Sequence, residues 1–335
     1  MRVLPAREPR LLGEFSWLLK DLAVAHAPQW SCRNKSAVAA LATPPDARHE
    51  GHLLASRWAG GELPAYISNC EVDRREGFFT YAPPLADDHT VHWHMNFADP
   101  YLFGHGEGPL MAQDELQITE HPCLASLGRA IESGDHDQEG LKRFTCEGGQ
   151  ATPVLVQGAP RRCVVDTTHL YGDNFARASQ ESVVEATTVI DPPTLSNIIA
   201  LAALSPESGA YTSEQIRRLL QTAYTGFRSL VLRSERVTLH TGHWGCGAFG
   251  GNKGLVTAVQ LLAAGAAGVE QVCFWWGRTE LDRSALEHAA AVAEHLNGAS
   301  VEDAVAQFVA AGYRWGIANE NHVPYEPPGN CMLNK

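Results

Sequence analysis

The chain has 335 residues, 44% of them hydrophobic and 19% charged, and a formal net charge of −12. That length suffices for one large core or two smaller ones, and the balance of residue types excludes extensive disorder. An acidic chain has no general attraction for phosphate polymers. Nucleic acid is therefore not an expected partner, and a nucleotide-like ligand has to be held by local amides and a few placed side chains.

The eight cysteines form no C-x-x-C pair. Several, such as Cys163 and Cys273, sit in apolar runs, where buried free thiols are the default, and a reducing cytoplasm is the expected compartment. Near the N-terminus Glu14, Lys20 and Asp21 interrupt the apolar run, which is too polar for a signal peptide or a membrane span. Residues 11–25 read as an amphipathic helix, and 36–41 as a second helical run, with Pro28, Pro44 and Pro45 between and after them. Residues 1–75 are thus expected to be a mainly helical accessory segment.

Gly77 to Tyr81 reads as a strand stopped by Pro83 and Pro84. In the following Asp87-Asp88-His89-Thr90-Val91-His92-Trp93-His94, His92 and His94 share one strand face and, with His89 or Asp88, have the donor types of a metal site. No fourth ligand follows at a recognisable spacing. The expectation is half-buried strand histidines and no metal.

The stretch from Asn96 to Ile118 carries the first chemical signal. An apolar and aromatic run breaks at Gly104, Gly106 and Gly108 and re-enters a helical pattern at Gln113-Asp114-Glu115. Glycines there let backbone amides approach an anionic phosphate. Two adjacent acids behind a glutamine offer a general acid/base, a carboxylate for hydroxyls and an amide. Together they ask for a sugar-phosphate substrate.

Residues 122–131 then read as a helix and 132–140 as an acidic loop. Residues 153–157 are a buried strand ending at Gly158-Ala159-Pro160, and 163–166 a short strand or extended loop. Tyr171 lies in a turn. Residues 185–190 are a strand closed by Asp191-Pro192-Pro193, and 212–227 a helix.

The second signal lies at 237–276. A strand at 237–240 leads into the glycine-dense loop Thr241-Gly242-His243-Trp244-Gly245-Cys246-Gly247-Ala248-Phe249-Gly250-Gly251. Asn252 caps a helix, Lys253–Ala267, that is apolar almost all round, and a strand follows at 271–276. Such a unit is a βαβ, so the sheet is at least partly parallel with the loop at its carboxyl edge. A P-loop cannot be fitted around Lys253. The dinucleotide fingerprint fits Gly245 to Gly250, but Glu270 precedes the next strand, whereas a ribose-binding acid belongs at its end. Residues 283–296 and a helix capped at Ser300 complete the body, and the tail carries Pro324, Pro327 and Pro328.

Both signals resemble the poly(ADP-ribose) glycohydrolases, a macrodomain-type family. Gly104-His105-Gly106, a six-residue spacer and Gln113-Asp114-Glu115 are similar to its triple glycine and Gln-Glu-Glu. Asn96-Phe97-Ala98-Asp99 looks like its Asp-Phe-Ala-Asn with the polar ends exchanged, and residues 241–251 look like its phosphate loop. His105, Asp114 and His243 are departures. The resemblance implies an α/β fold with a mixed sheet flanked by helices over residues 76–318, after the accessory segment and before an irregular tail at 319–335. It implies cleavage of an O-glycosidic bond of an ADP-ribosyl substrate, with Glu115 as general acid and then base and Asp114 and Gln113 on ribose hydroxyls and the leaving group. The substrate-binding set it implies is Asn96, Asp99, Gly104, His105, Gly106, Tyr171, His243, Gly245, Cys246, Gly247, Ala248, Phe249 and Gly250, with Phe274 or Trp276 stacking on adenine. No cofactor is needed. Two alternatives stay open: a hydrolase of a small ADP-ribosyl or NAD-derived metabolite, and a non-catalytic ADP-ribose reader. Oligomeric state is not legible.

Overall fold

In the computed structural model, residues 10–12, 15–22, 30–43, 53–81, 90–133 and 142–316 are described, those at 10–22 by their backbone alone. The strands are β1 (Arg10–Leu12), β2 (Phe15–Leu22), β3 (Leu53–Gly60), β4 (Glu71–Arg75), β5 (Val91–Asn96), β6 (Cys146–Glu147), β7 (Gln150–Ala151), β8 (Val154–Val165), β9 (Thr187–Ala200), β10 (Val237–Gly242) and β11 (Gln271–Trp275). The helices are α1 (Arg33–Ala42), α2 (Gln113–Glu120), α3 (Cys123–Ser133), α4 (Asn174–Arg177), α5 (Gln180–Glu185), α6 (Ser213–Arg233), α7 (Lys253–Ala267), α8 (Glu280–His295) and α9 (Val301–Ala311).

One nine-stranded sheet runs β1-β2-β3-β8-β9-β5-β10-β11-β4, and β6 and β7 form a separate hairpin. The strands from β9 to β4 pair in parallel, and those from β1 to β9 pair antiparallel. This is the mixed sheet of the expected α/β class. Helix α7 follows its apolar sequence into the core, with Leu255, Val259 and Leu262 fully buried. Its start is fixed where expected, by the Asn252 side chain accepting from the Leu255 amide at 3.1 Å. In the parallel half, β4, β5, β9, β10 and β11 all end at one edge, where Asn96 is level with Ala200 and Gly242 with Trp275. Their outgoing loops are therefore neighbours although they lie far apart in sequence.

Three expectations are corrected. The described part of residues 11–25 is strand, not helix: β2 pairs with β3 in unbroken register from Phe15↔Gly60 to Leu22↔Leu53. An eight-residue ladder outweighs a weak local propensity. The helical part of the segment is α1, over the run expected at 36–41. Gly77 to Tyr81 makes only a bridge between Gly77 and Gly277. The strand is the preceding β4, whose charges suit a sheet edge and hide it from an apolar search. Asp191-Pro192-Pro193 does not end β9, because these residues span the register shift between Arg161 and Cys163 of β8, where the ladder asks for no amide. Pro83, Pro84, Asp87, Asp88, His89, the 134–141 part of the acidic loop and the tail from 317 lie outside the described residues.

His94 and His240 are cross-strand neighbours on β5 and β10, stacked at 4.3 Å and 13°. His92 Nδ1 lies 2.8 Å from His240 Nε2. Tyr81 covers the other side of His94 at 4.3 Å and meets His121 at 5.0 Å. Burial holds His121 and His240 down to about 3 and His94 well below the usual histidine value. Among the described residues no three potential ligands converge as a metal site. No described helix is long and apolar enough to cross a membrane.

Candidate active site

The carboxyl edge of the parallel strands opens into a cavity of about 1320 Å³. One wall begins where β5 ends. Gln113 is sewn to that strand: its Oε1 accepts from the Phe97 amide at 2.8 Å and its Nε2 donates to the Met95 carbonyl at 2.9 Å. This fixes the start of α2 and turns the next two residues to the cavity. Asp114 Oδ1 accepts from Asn96 Nδ2 at 2.8 Å. Glu115 Oε2 accepts from the Ala112 amide at 3.1 Å, a bond from the third helical residue back to the N-cap amide.

Both acids line the cavity while almost buried, at 6% and 5% exposed. Burial, then the charge of Glu115, pushes Asp114 up to about 8, against the Asn96 hydrogen bond. Burial also raises Glu115, opposed first by the charge of Lys35 and then by backbone donors. A carboxyl group that keeps its proton towards neutral pH can donate it, and the ionised form can take one back.

The first glycine loop packs against α2. A Cβ on Gly106 would lie 2.5 Å from Ile118 Cδ1, so only glycine fits there. The loop's backbone is tied down by Gly104 N–H to the Tyr101 carbonyl and Gly108 N–H to the His105 carbonyl, both at 3.0 Å. Asp99 Oδ1 accepts from the Tyr101 amide at 2.8 Å, and its other oxygen is 3.8 Å from His105 Nε2. Arg129 on α3 grips Glu107 through two bonds of 2.6 and 2.5 Å.

The opposite wall is the second glycine loop, between β10 and α7. Gly245 has φ +68°, and a Cβ there would sit 2.3 Å from the Ala203 Cβ. The turn closes by Cys246 N–H to the His243 carbonyl at 3.1 Å, Gly250 N–H to Gly247 at 2.9 Å and Gly251 N–H to Gly245 at 2.9 Å. The amides of Gly247, Ala248 and Phe249 donate to no described residue, and all three residues line the cavity. Such a run of free donors next to a helix N-terminus is an anion cradle. The local cation is committed: Lys253 pairs with Asp282, whose Oδ2 also accepts from Thr279 Oγ1 at 2.6 Å. His243 sits against the same residue, with Nε2 at 3.2 Å from the Asp282 carbonyl. Burial, then the charge of Lys253, holds it down to about 4. Cys246 is buried with its thiol pushed up to about 12, so it is a packing residue here.

Asp99, Gly104, His105, Tyr171 and Trp276 also line the cavity, as do Gly245 and His243. Asn96, Gly106, Gly250 and Phe274 lie behind its surface. Asn96 holds Asp114 from below, Gly106 and Gly250 shape the loops, and Phe274 is fully buried with its ring edge-on to His243 at 5.2 Å. An adenine stack on Phe274 is thus excluded by burial, and half-buried Trp276 stays available.

Sequence reasoning missed the residues that join the walls. Phe78 meets Tyr171 at 5.1 Å, and Arg278 lies over Phe78 while donating to Thr168 Oγ1 at 2.9 Å. It also missed Lys35, fully buried on α1. Nothing in a short N-terminal helix singles out one lysine. The signal for Arg278 was its position just past the strand after a glycine loop.

Comparisons with known proteins agree with this layout. Residues 150–283 match the family described as Poly (ADP-ribose) glycohydrolase (PARG), Macro domain fold. That segment holds the second glycine loop but neither the first nor the acid pair. Among solved structures, the poly(ADP-ribose) glycohydrolase of Thermomonospora curvata is similar at 18% identity, over 69% of this chain and 78% of that one, with a TM-score of 0.43. The Deinococcus radiodurans enzyme in complex with ADP-ribose is similar at 18% identity, over 70% and 86%, with a TM-score of 0.43. The family match spans the phosphate-type loop and covers less than half of the chain, so it is residues 150–283 that are similar to the macrodomain fold of that family.

Proposed function

We propose that the protein hydrolyses an O-glycosidic bond at the anomeric carbon of an ADP-ribosyl unit, with Glu115 delivering a proton to the leaving oxygen and then activating water. The observation that carries this reading is one cavity with a run of unused loop amides on one wall and a buried, proton-holding acid pair on the other. Glycosidic cleavage passes through an oxocarbenium-like state and needs a proton donor for the departing oxygen. A buried carboxyl meets that need, and the same group, once ionised, serves as base. The diphosphate would lie on the amides of Gly247, Ala248 and Phe249, shielded by the Phe249 ring. Asp114 would bind ribose hydroxyls. Gln113 acts through the chain it pins, since one oxygen and one N–H of its amide are spent on β5. Trp276 is the adenine-stacking candidate.

The substrate we favour carries one ADP-ribosyl unit per binding event, either a chain end, a protein-linked residue or a small ADP-ribosyl compound. Two cations lining the cavity are already paired, Lys253 with Asp282 and Arg161 with Glu120, and Arg278 donates to Thr168 Oγ1. Phe78, Tyr171, Arg278 and Thr168 touch one another at the cavity lining, which favours recognition of one unit there.

The test has two arms. ADP-ribose at about a hundred times its Kd should add about 2.7 kcal/mol of stability, read as a rise in Tm; no rise at millimolar ADP-ribose sinks the reading. Release of ADP-ribose from mono-ADP-ribosylated protein, from polymer and from NAD-derived glycosides then ranks the substrates. Affinity for long polymer should exceed that for the monomer little and fall only shallowly with salt. A polymer affinity that collapses with salt would replace the single-unit reading with a polymer groove.

A further inference from the structure

Helix α1 lies outside the segment that matches the family, yet its first turn carries the first glycine loop. The amides of Ser31 and Cys32 donate to the Glu107 carbonyl at 3.1 and 3.3 Å, and Ser31 Oγ donates to the same oxygen at 2.9 Å. Lys35 Nζ donates to the adjoining Gly106 carbonyl at 2.7 Å. Two consecutive loop carbonyls are therefore turned away from the cavity and held by one helix end. The same helix reaches the other side of the cavity mouth, where Asn34 Nδ2 donates to the Phe175 and Ala178 carbonyls at 2.7 and 3.1 Å, just beyond Tyr171.

Lys35 is the unusual member. It is fully buried, and a buried ammonium is costly unless charges of opposite sign face it. The groups whose charge acts on it are Glu115 and Asp114 of α2, Glu107 of the loop and Cys32 of its own helix. Glu107 is occupied by Arg129, which leaves the acid pair as the charge Lys35 answers. The pair in turn faces His105 and Asp99 from the loop side, the first exposed and the second half-exposed. Burial draws Lys35 down to about 8, against the pull of Glu115.

We infer that Lys35 is a positioning residue of the catalytic centre, holding the first glycine loop by its Gly106 carbonyl and setting a buried positive charge against the Asp114–Glu115 pair. The inference rests on the proposed acid/base role of Glu115. Without that charge both carboxyls keep their protons to higher pH, and the ionised Glu115 left after proton donation, the form that activates water, is less stabilised. The accessory helix is then part of the reaction machinery.

The experiment compares the pH dependence of kcat/KM for wild type, Lys35→Gln and Lys35→Arg on the substrate that wild type turns over. Lys35→Gln should move the alkaline limb, where Glu115 loses the proton it donates, upward by about one unit or more. Its kcat should fall while ADP-ribose affinity changes by less than about threefold. Lys35→Arg should return the limb to the wild-type position. A folded Lys35→Gln protein with an unshifted profile overturns the inference, whether or not kcat falls. Should Lys35→Gln fail to fold, titration of the Lys35 side chain by NMR in wild type and in Glu115→Gln decides. Loss of the Glu115 charge should make Lys35 release its proton at lower pH, and identical titrations overturn the inference. Turnover that survives in Glu115→Gln would instead defeat the acid assignment itself, so the two failures are distinct.

Discussion

The two glycine loops face each other across one cavity but are built in different ways. The second is a local product: β10, the loop, α7 and β11 lie within residues 237–275, and the strand–loop–helix order alone places its amides. The first is a joint product of α1, β5, α2 and α3, drawn together from residues 31 to 129 by Lys35, Gln113 and Arg129. Their chemistry divides in the same way. The second loop offers neutral donors beside a cation already paired, while the first is flanked by buried groups that hold or release protons. In the proposed function, binding falls to the wall that the sequence builds locally and reaction to the wall that tertiary structure assembles.

Glu115→Gln breaks the comparison on the reactive side and carries the largest expected effect. Turnover should fall by about 10²–10⁴. ADP-ribose affinity should stay within a few-fold, because the amide keeps the shape and still accepts from Ala112. Steady-state rates beside a binding titration decide, and retained turnover removes Glu115 from the role.

Gly245→Ala breaks it on the binding side. The added Cβ meets Ala203 at 2.3 Å, and φ +68° strains any L residue, at a cost of about 1–3 kcal/mol. ADP-ribose affinity should drop about tenfold or more, with Tm lowered, while the pH profile of the remaining activity keeps its position. A shifted profile would show that the two walls are not separable.

Asp114→Asn sharpens the division with a smaller effect on stability. Asp114 has its folded-state value raised to about 8, so the folded protein prefers the protonated acid. That preference stabilises fully below the unfolded value near about 3.9 and is lost as pH rises towards about 8. An amide cannot ionise and still accepts from Asn96. The variant should be more stable than wild type at pH 8 by about 1 kcal/mol, a Tm gain of roughly 2–4 °C, with no gain below about pH 4. Rate and affinity should both fall, since the second carboxyl oxygen assigned to ribose hydroxyls becomes an amide NH2. Calorimetry at the two pH values tests the sign.

What was legible in the sequence follows the same line. Helix α7 and its Asn252 cap were readable because alanine-rich periodicity and a capping residue act over a few positions. Gln113-Asp114-Glu115 was readable as a motif, but Gln113's bonds to Met95 and Phe97 depend on where β5 ends. β2 was misread because its eight residues obey a partner strand thirty to forty-five positions later. Lys35 gave no signal, since a lysine's burial is decided entirely by what folds over it. Phe274 and Trp276 were equivalent in the sequence, since alternation puts both on one face; Phe274 is buried within β11 against His243, while Trp276 lies just past the strand's end at Trp275 and lines the cavity.

The ring column of His92, His240, His94 and Tyr81 gives the molecule a preferred way to fail. His94 and His240 keep depressed values in the folded state, so unfolded chain takes protons that folded chain refuses, and stability drains away as pH falls below about 6.5. The acid pair has the opposite appetite and is at ease in acid. Mild acid should therefore loosen the centre of the sheet and, through buried His121 at the C-cap, the far end of α2 before the Asp114–Glu115 end of that helix. Amide hydrogen exchange in β5 and β10 should quicken below about pH 6 while the Leu116 amide, bonded to Ala112, remains protected. The protein would come apart along the seam between two histidine-bearing strands, with the acid-bearing turn of α2 opening after it.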